Sequence, residues 1–156
     1  MALPEKLQKI VDRFASAPRE LRGQALLRYA KQVPPLPPAL ADAPERMQRV
    51  HECQSPFFLA TEVDDGGAVH LFFDCPPETP TVRGFAGILM EGLEGEHFST
   101  VLEVPTTFYS AMGLGEVVSP LRLRGMGAIL QAIKNRVRAE IPDVPSGVER
   151  RGEEAP

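Results

Sequence analysis

Apolar residues recur at helical intervals near both ends of the chain and once in its middle. The first such stripe predicts a helix that buries Leu3, Leu7, Ile10, Val11 and Phe14. The pattern resumes after Pro18 and predicts a second helix, which we expect to form a hairpin with the first. Thr79 and Pro80 are typical of a helix start, and Gly92 or Gly95 would end that helix. Ser119 and Pro120 open a long last helix that buries Met126, Ile129, Leu130, Ile133 and Val137.

Strand patterns occupy the middle of the chain. Residues 56–63 and 68–73 are rich in Phe, Val and Leu and flank an Asp-Asp-Gly-Gly turn, which predicts an antiparallel hairpin. Residues 101–104 are a weaker third strand, and residues 105–111 a short helix. Four prolines between residues 34 and 38 indicate an extended connector. Because the order of elements contains no βαβ unit, we expect an α+β fold: a small antiparallel three-stranded sheet covered by helices.

The length of 156 residues fits a single domain, which we place at residues 1–141, followed by a flexible C-terminal tail over residues 142–156. The longest apolar run, residues 85–90, is too short to cross a bilayer. Charged residues interrupt any signal-peptide pattern near the N-terminus, so we expect a cytoplasmic protein with reduced thiols and no membrane partner.

The net charge of −4 is unevenly distributed. Residues 1–33 carry +4, residues 34–118 carry −10 and residues 119–156 carry +2. An acidic centre repels phosphate backbones, which disfavours nucleic acid as a ligand and favours a protein partner.

The chain has two cysteines, and the candidate chemistry centres on Cys53. It lies in a polar segment that ends at Pro56, just before the first predicted strand, and reactive groups are common in such loops. Adjacent Glu52 would suppress ionisation of the thiol, and a protonated His51 would offset that effect. From the local sequence alone, an unreactive buried cysteine and a reactive one both remain open.

Two other interpretations use the second cysteine, Cys75, which we expect to fill space at the end of a strand. A metal or cluster-binding scaffold would draw on the scattered set Cys53, Cys75, His51, His70 and His97, which lacks the short paired spacing of zinc sites. A redox sensor would instead form a disulfide between the two cysteines. Arg122, in the first turn of the last helix, opposes the helix dipole, so either a carboxylate or solvent should hold it.

Three motifs together resemble the SufE-type sulfur-acceptor family. They are Cys53-Gln54-Ser55 before a strand, Val82-Arg83-Gly84 in a helix, and residues 114–125 at the start of the last helix. The resemblance implies a fold similar to IscU-type iron–sulfur scaffolds and a monomer or weak dimer. It also implies that Cys53 accepts sulfur as a persulfide, with Gln54, Ser55 and Arg122 in supporting roles. From its position beside Cys53, we also expect His51 to be a supporting residue.

The same resemblance implies two protein partners. A SufS-type cysteine desulfurase would donate the sulfur and a SufBCD-type scaffold would receive it. The pyridoxal phosphate belongs to the desulfurase, so we expect no cofactor in this chain. The sequence departs from the family pattern at Glu52, where Gly is usual, at Phe57 and Phe58, where a Trp is usual, and at residues 77–80, which replace a Ser-Asp-Ala helix start.

Overall fold

The computed structural model describes residues 3–53 and 55–141. Its helices are α1 (Glu5–Ser16), α2 (Arg19–Ala30), α3 (Pro38–Ala41), α4 (Pro80–Leu93), α5 (Phe98–Glu103) and α6 (Pro120–Glu140). Its strands are β1 (Gln48–Arg49), β2 (Phe58–Val63) and β3 (Val69–Asp74). Short 3-10 turns occupy Pro44–Arg46, Phe108–Met112 and Leu114–Glu116. The tail predicted over residues 142–156 lies outside the described residues.

The sheet is antiparallel, in the order β1-β2-β3. Strand β2 is the central strand, and its residue Leu59 pairs with Gln48 of β1 on one side and with Phe73 of β3 on the other. The predicted hairpin of β2 and β3 is confirmed, and its turn is closed by the Asp64 N–H donating to the Ala68 carbonyl over 3.0 Å. The sheet places the ends of β1 and β3 beside the start of β2, at one corner of the molecule.

The predicted third strand is wrong. Residues 101–104 lie in and just after α5, and the third strand is instead the two-residue β1. The His97 side chain caps α5 by accepting from the Ser99 N–H over 3.2 Å, and Val101 is buried on the inner face of the helix. A short segment such as Val-Leu-Glu-Val fits either a helix or a strand, and here it follows a helix cap at His97.

Helix α4 is the centre of the helical layer. Its first residue follows Thr79, as the sequence predicted, and its last is Leu93, between the two glycines expected to end it. Helices α1 and α2 both pack mainly against α4 rather than against each other. The two outer helices meet at one corner, where the Phe14 and Tyr29 rings are 5.8 Å apart. The two helices of the expected hairpin therefore associate mainly through their shared contacts with α4 and through the contact of Phe14 with Tyr29.

Glycines allow α2 to approach α4 closely. A Cβ at Gly87 would lie 2.1 Å from the Tyr29 carbonyl oxygen, and one at Gly84 would lie 2.7 Å from Leu26. No residue with a side chain fits at Gly87 unless the backbones separate. The two backbones therefore pack at a distance that only glycine permits.

Helix α6 packs on β2 and α4 and carries the predicted inward residues, all of which are buried. The Ser119 hydroxyl caps it by accepting from the Arg122 N–H over 3.3 Å. At the other end, the Glu140 carboxylate accepts from the Thr61 hydroxyl and, over 2.9 Å, from the Val63 N–H. Both ends of α6 are thus fixed, which holds its first turns above the corner where β1 and β2 meet.

Two smaller expectations need correction. The proline-rich connector is not extended throughout, because Pro38 begins the single turn of α3. The helix expected over residues 105–111 is a 3-10 turn, Phe108–Met112, that ends at Gly113 with a φ of 71°. Among the described residues, no helix combines the length and the apolar character that crossing a membrane requires.

Candidate functional site

Cys53 lies in the connection between β1 and β2. The Val50 N–H donates to the Phe57 carbonyl over 2.9 Å, which extends the pairing of the two strands by one residue. The Cys53 N–H then donates to the Val50 carbonyl over 3.2 Å, so the chain turns as soon as β1 ends. The cysteine therefore lies in a connecting segment at the sheet corner, as the sequence indicated.

The Cys53 side chain is buried, with 5% of its surface exposed. Gly125 of α6 faces it: a Cβ at that position would lie 3.5 Å from the Cys53 Sγ and 4.0 Å from the Glu52 carbonyl oxygen. A methyl group would already be in van der Waals contact with the thiol, and any larger side chain would displace it. The first turns of α6 thus form the wall that shelters Cys53.

Burial controls the ionisation of this thiol. It raises the pKa of Cys53 to about 11, with smaller contributions from the nearby negative charges of Glu52 and of an ionised Cys75. At pH 7 roughly one molecule in ten thousand then carries the thiolate, which is the nucleophilic form. In this conformation the Cys53 thiol is therefore sheltered from solvent and almost entirely protonated at pH 7.

Cys75 lies at the same corner of the sheet, directly after β3. Phe58 and Asp74 are the last residues paired between β2 and β3, so Cys75 lies just beyond the start of β2. Its thiol is also 5% exposed, and burial raises its pKa to about 11. The charge of Arg83 acts in the opposite direction and lowers the pKa of Cys75.

Arg83 of α4 binds the segment around Cys75. Its guanidinium donates to the Cys75 carbonyl over 2.7 Å and lies 3.9 Å from the Cys75 Sγ. It also donates to the carbonyls of Ala30 and Val33 over 3.4 and 3.5 Å. The Cys75 groove, an open groove of about 330 Å³, runs past these groups and is lined by residues that include Val33, Pro35, Leu36, Cys75, Pro77 and Arg83.

The other site residues indicated by the sequence surround Cys53 in different ways. Ser55 is buried, whereas His51 and Arg122 are exposed. His51 lines a second groove, of about 380 Å³, between the loop and α6. Arg122 forms no ion pair with any described residue, so no carboxylate in the described part of the chain holds it. Gln54 lies outside the described residues.

The histidines do not join the cysteines in a metal site. Both ring nitrogens of His70 face carboxylates, Glu94 at 2.6 Å and Asp64 at 2.8 Å, and His97 caps α5. His70 is five residues before Cys75 on β3, which is about 16 Å along a strand. Within residues 3–53 and 55–141, no three Cys, His, Asp or Glu side chains gather as metal ligands do.

Sequence reasoning missed the association of Cys75 with Arg83 and with the sheet corner of Cys53. The two cysteines are 22 residues apart, and β2 and β3 bring them together only because the hairpin folds back. The motif Val82-Arg83-Gly84 was the one available signal in the sequence. It singled out Arg83 but did not indicate that this arginine contacts Cys75.

The chain matches known proteins over most of its length. The family model of the SufE Fe–S metabolism associated domain covers residues 8–137. A SufE-like protein of Mycobacterium tuberculosis is 44% identical over 137 residues, which are 88% of this chain and 94% of that protein. SufE-like protein 1 of Arabidopsis thaliana, described as chloroplastic/mitochondrial, is 26% identical over 86% of this chain and 35% of its own length.

A solved structure supports the same conclusion. The solution structure of a hypothetical protein from Thermus thermophilus superposes with a TM-score of 0.79 at 50% sequence identity, covering 89% of this chain and 98% of that one. The α+β fold predicted from the sequence is confirmed, as is the family that its motifs resembled. The chain belongs to the SufE family and has a role in Fe–S metabolism.

Proposed function

We propose that this protein is a sulfur carrier, which takes sulfane sulfur from a SufS-type cysteine desulfurase onto Cys53 and delivers it to a SufBCD-type assembly scaffold. The observation that carries the proposal is the position of Cys53 in a chain of the SufE family. Its thiol lies in the connecting loop after β1 and is covered by Gly125 of α6. The pyridoxal phosphate stays with the desulfurase, and this chain contributes only its thiol.

The transfer is an exchange between sulfur atoms. The Cys53 thiolate attacks the outer sulfur of the donor persulfide, a new S–S bond forms at Cys53, and the donor cysteine leaves as a thiolate. No electron acceptor is needed, because the sulfane sulfur keeps its oxidation state. Delivery to the scaffold repeats the same exchange with Cys53 as the leaving group.

Burial supports a carrier rather than a free catalyst. A persulfide in water is lost to reductants and oxidants, whereas one held under α6 is shielded from both. The raised pKa of the resting thiol has the same cause, so docking of the desulfurase must both expose Cys53 and lower its pKa. The protein is then reactive only when its partner is bound.

The surface around Cys53 supplies the contacts for docking. His51 and Arg122 are exposed beside the buried thiol, and Arg122 precedes Gly125 by three residues, which places the two on one side of α6. We assign these two exposed side chains to partner contact and Ser55 to support of the loop from within.

The turnover of the desulfurase tests this proposal. Alanine production from cysteine should rise several-fold when the wild-type chain is added, and Cys53→Ser should abolish the increase. Equal unfolding temperatures of the two chains would show that the variant is folded. If Cys53→Ser stimulates the desulfurase as strongly as the wild type, the thiol is not the acceptor.

A further inference from the structure

The two buried thiols differ in the charges around them. Glu52, next to Cys53, disfavours an anion there. At Cys75 the carboxylate of Asp74 also disfavours an anion, but the Arg83 guanidinium, 3.9 Å from the Cys75 Sγ, favours one more strongly. A persulfide is more acidic than the thiol from which it forms, so it is the sulfur species that gains most from a neighbouring cation. Burial raises the pKa of both thiols alike, so the difference between their neighbouring charges favours a persulfide anion on Cys75 over one on Cys53.

The fold also brings the two thiols together. Cys53 lies four residues after β1 and Cys75 directly follows β3, and these two strands end on either side of the start of β2. Both side chains belong to one apolar cluster, and a negative charge on Cys75 is felt at Cys53. Both thiols are thus buried at a single corner of the sheet, close enough for the charge of one to affect the other.

The pair faces two separate surfaces. The groove beside His51 and Glu52 lies on the Cys53 side and is lined by α6, whereas the Cys75 groove is lined by α4 and by the proline-rich connector. The two grooves share no lining residue. A sulfur atom that entered at Cys53 and moved to Cys75 would therefore become accessible from a different face of the protein.

We propose that Cys75 is a second sulfur-carrying residue, which takes the sulfane sulfur from Cys53 within the fold and holds it beside Arg83 at the Cys75 groove. This inference rests on the proposed function, since it requires a loaded Cys53. It assigns Cys75 a chemical role, where the sequence indicated only that this residue fills space.

The internal step is balanced without any other reactant. Cys75, as a thiolate, attacks the terminal sulfur of the Cys53 persulfide, and a bond forms between the Cys75 Sγ and that sulfur. The S–S bond at Cys53 breaks, its electron pair stays on the Cys53 Sγ, and the proton released by Cys75 moves there. One persulfide and one thiol are consumed and one of each is formed.

A time course of peptide masses tests the inference with the full-length protein, a cysteine desulfurase and free cysteine. After alkylation and digestion, one added sulfur should appear first on the peptide with Cys53 and then on the peptide with Cys75. Cys53→Ser should carry sulfur on neither peptide, and Cys75→Ser should retain it on Cys53 several-fold longer. Arg83→Lys keeps the cation and should preserve the transfer, whereas Arg83→Gln should shift sulfur several-fold towards Cys53.

Each alternative result is distinguishable. Sulfur that stays on Cys53 in the wild type overturns the second carrier and leaves the proposed function intact. Sulfur on Cys75 in Cys53→Ser shows direct loading and overturns the internal step. A Cys53–Cys75 disulfide with released sulfide shows attack at the inner sulfur and also overturns it, and a wild-type chain without added sulfur contradicts both proposals.

Discussion

Two neighbouring residues affect the burial and the ionisation of the Cys53 thiol. Gly125 leaves just enough room for the thiol beneath α6, and Glu52 adds a negative charge beside it. Burial is the larger of the causes that raise its pKa to about 11. A single conformational step that removes the thiol from α6 would therefore change both its access to solvent and its ionisation.

Alkylation of Cys53 reports this step. In the free protein, the rate of modification by iodoacetamide should be low at pH 7 and should rise about tenfold per pH unit up to the pKa, because only the thiolate reacts. Adding the desulfurase without cysteine should accelerate modification of Cys53, as followed by peptide mass. Equal rates with and without the desulfurase would contradict exposure by docking.

His70 is a second residue whose surroundings fix its charge. The hydrogen bonds to Asp64 and then to Glu94 raise the pKa of His70, since only the imidazolium donates from both ring nitrogens. The bond to His70 in turn lowers the pKa of Asp64. These contacts join the β2–β3 turn to the end of α4.

The pH dependence of stability follows from the direction of these shifts. The contribution of His70 is fully present below its unfolded pKa of about 6.5 and is lost as the pH rises through its raised folded value. The contribution of Asp64 is present above about pH 3.8 and is lost as the pH falls through its lowered folded value. The difference in urea midpoint between wild type and His70→Asn should therefore be larger at pH 6 than at pH 9, and an equal difference would contradict the charged pair.

At the level of the elements, the spacing between α2 and α4 depends on glycine. Gly87→Ala would place a methyl group 2.1 Å from the Tyr29 carbonyl, so we expect it to reduce the free energy of unfolding by about 1–3 kcal/mol or more. Gly23→Ala is a matched control in α2, since nothing lies within 4 Å of its Cβ position. It should increase stability by up to about 1 kcal/mol through helix propensity.

Chemical denaturation of both variants checks this contrast. An unchanged midpoint for Gly87→Ala would show that the two helices separate without loss of packing. The spacing of the two helices also bears on the site. Arg83 lies on α4 and donates hydrogen bonds to the carbonyls of Ala30 and Val33, at and just after the end of α2.

The elements with strong local signals were predictable from the sequence. Proline followed by an apolar stripe marked α1, α2, α4 and α6, and the Asp-Gly turn marked the β2–β3 hairpin. Elements with weak local signals were not predictable. Strand β1 has only two residues, one of them the exposed Arg49, so it shows no alternation of apolar and polar residues. The run at residues 101–104 has strand composition, but the cap at His97 makes it a helix.

The site was predictable only in part, for a related reason. Cys53 was found because a polar loop before a strand is a local feature of the sequence. The shelter by Gly125 and the contact of Arg83 with Cys75 depend on packing between elements distant in the chain, which local patterns do not encode. Gln54 and the tail at residues 142–156, both expected from the sequence, lie outside the described residues.

At the level of the whole molecule, charge bears on how the protein meets its partner. Residues 34–118 carry a net charge of −10, whereas Arg122 is an exposed cation one turn of α6 before Gly125, the residue that faces Cys53. A cation at the edge of an acidic surface favours one orientation of an approaching protein. If the desulfurase docks at this corner as proposed, we expect its binding to depend on Arg122 more than on cations elsewhere.

Paired variants of α6 test the orientation. Arg122→Ala should raise the Kd for the desulfurase several-fold, and the effect should shrink in high salt. Arg138→Ala removes an equally exposed arginine about 24 Å along the same helix and should leave the Kd within twofold of wild type. Titration calorimetry measures both, and equal losses for the two variants would indicate a nonspecific charge effect.

The most direct test of the account is the intact mass of the protein after incubation with a cysteine desulfurase and cysteine. We predict that the wild-type chain gains the mass of one sulfur atom, that reductant removes it, and that Cys53→Ser gains none. A Cys53→Ser chain that gains sulfur to the same extent as the wild type would contradict the claim that this thiol receives it.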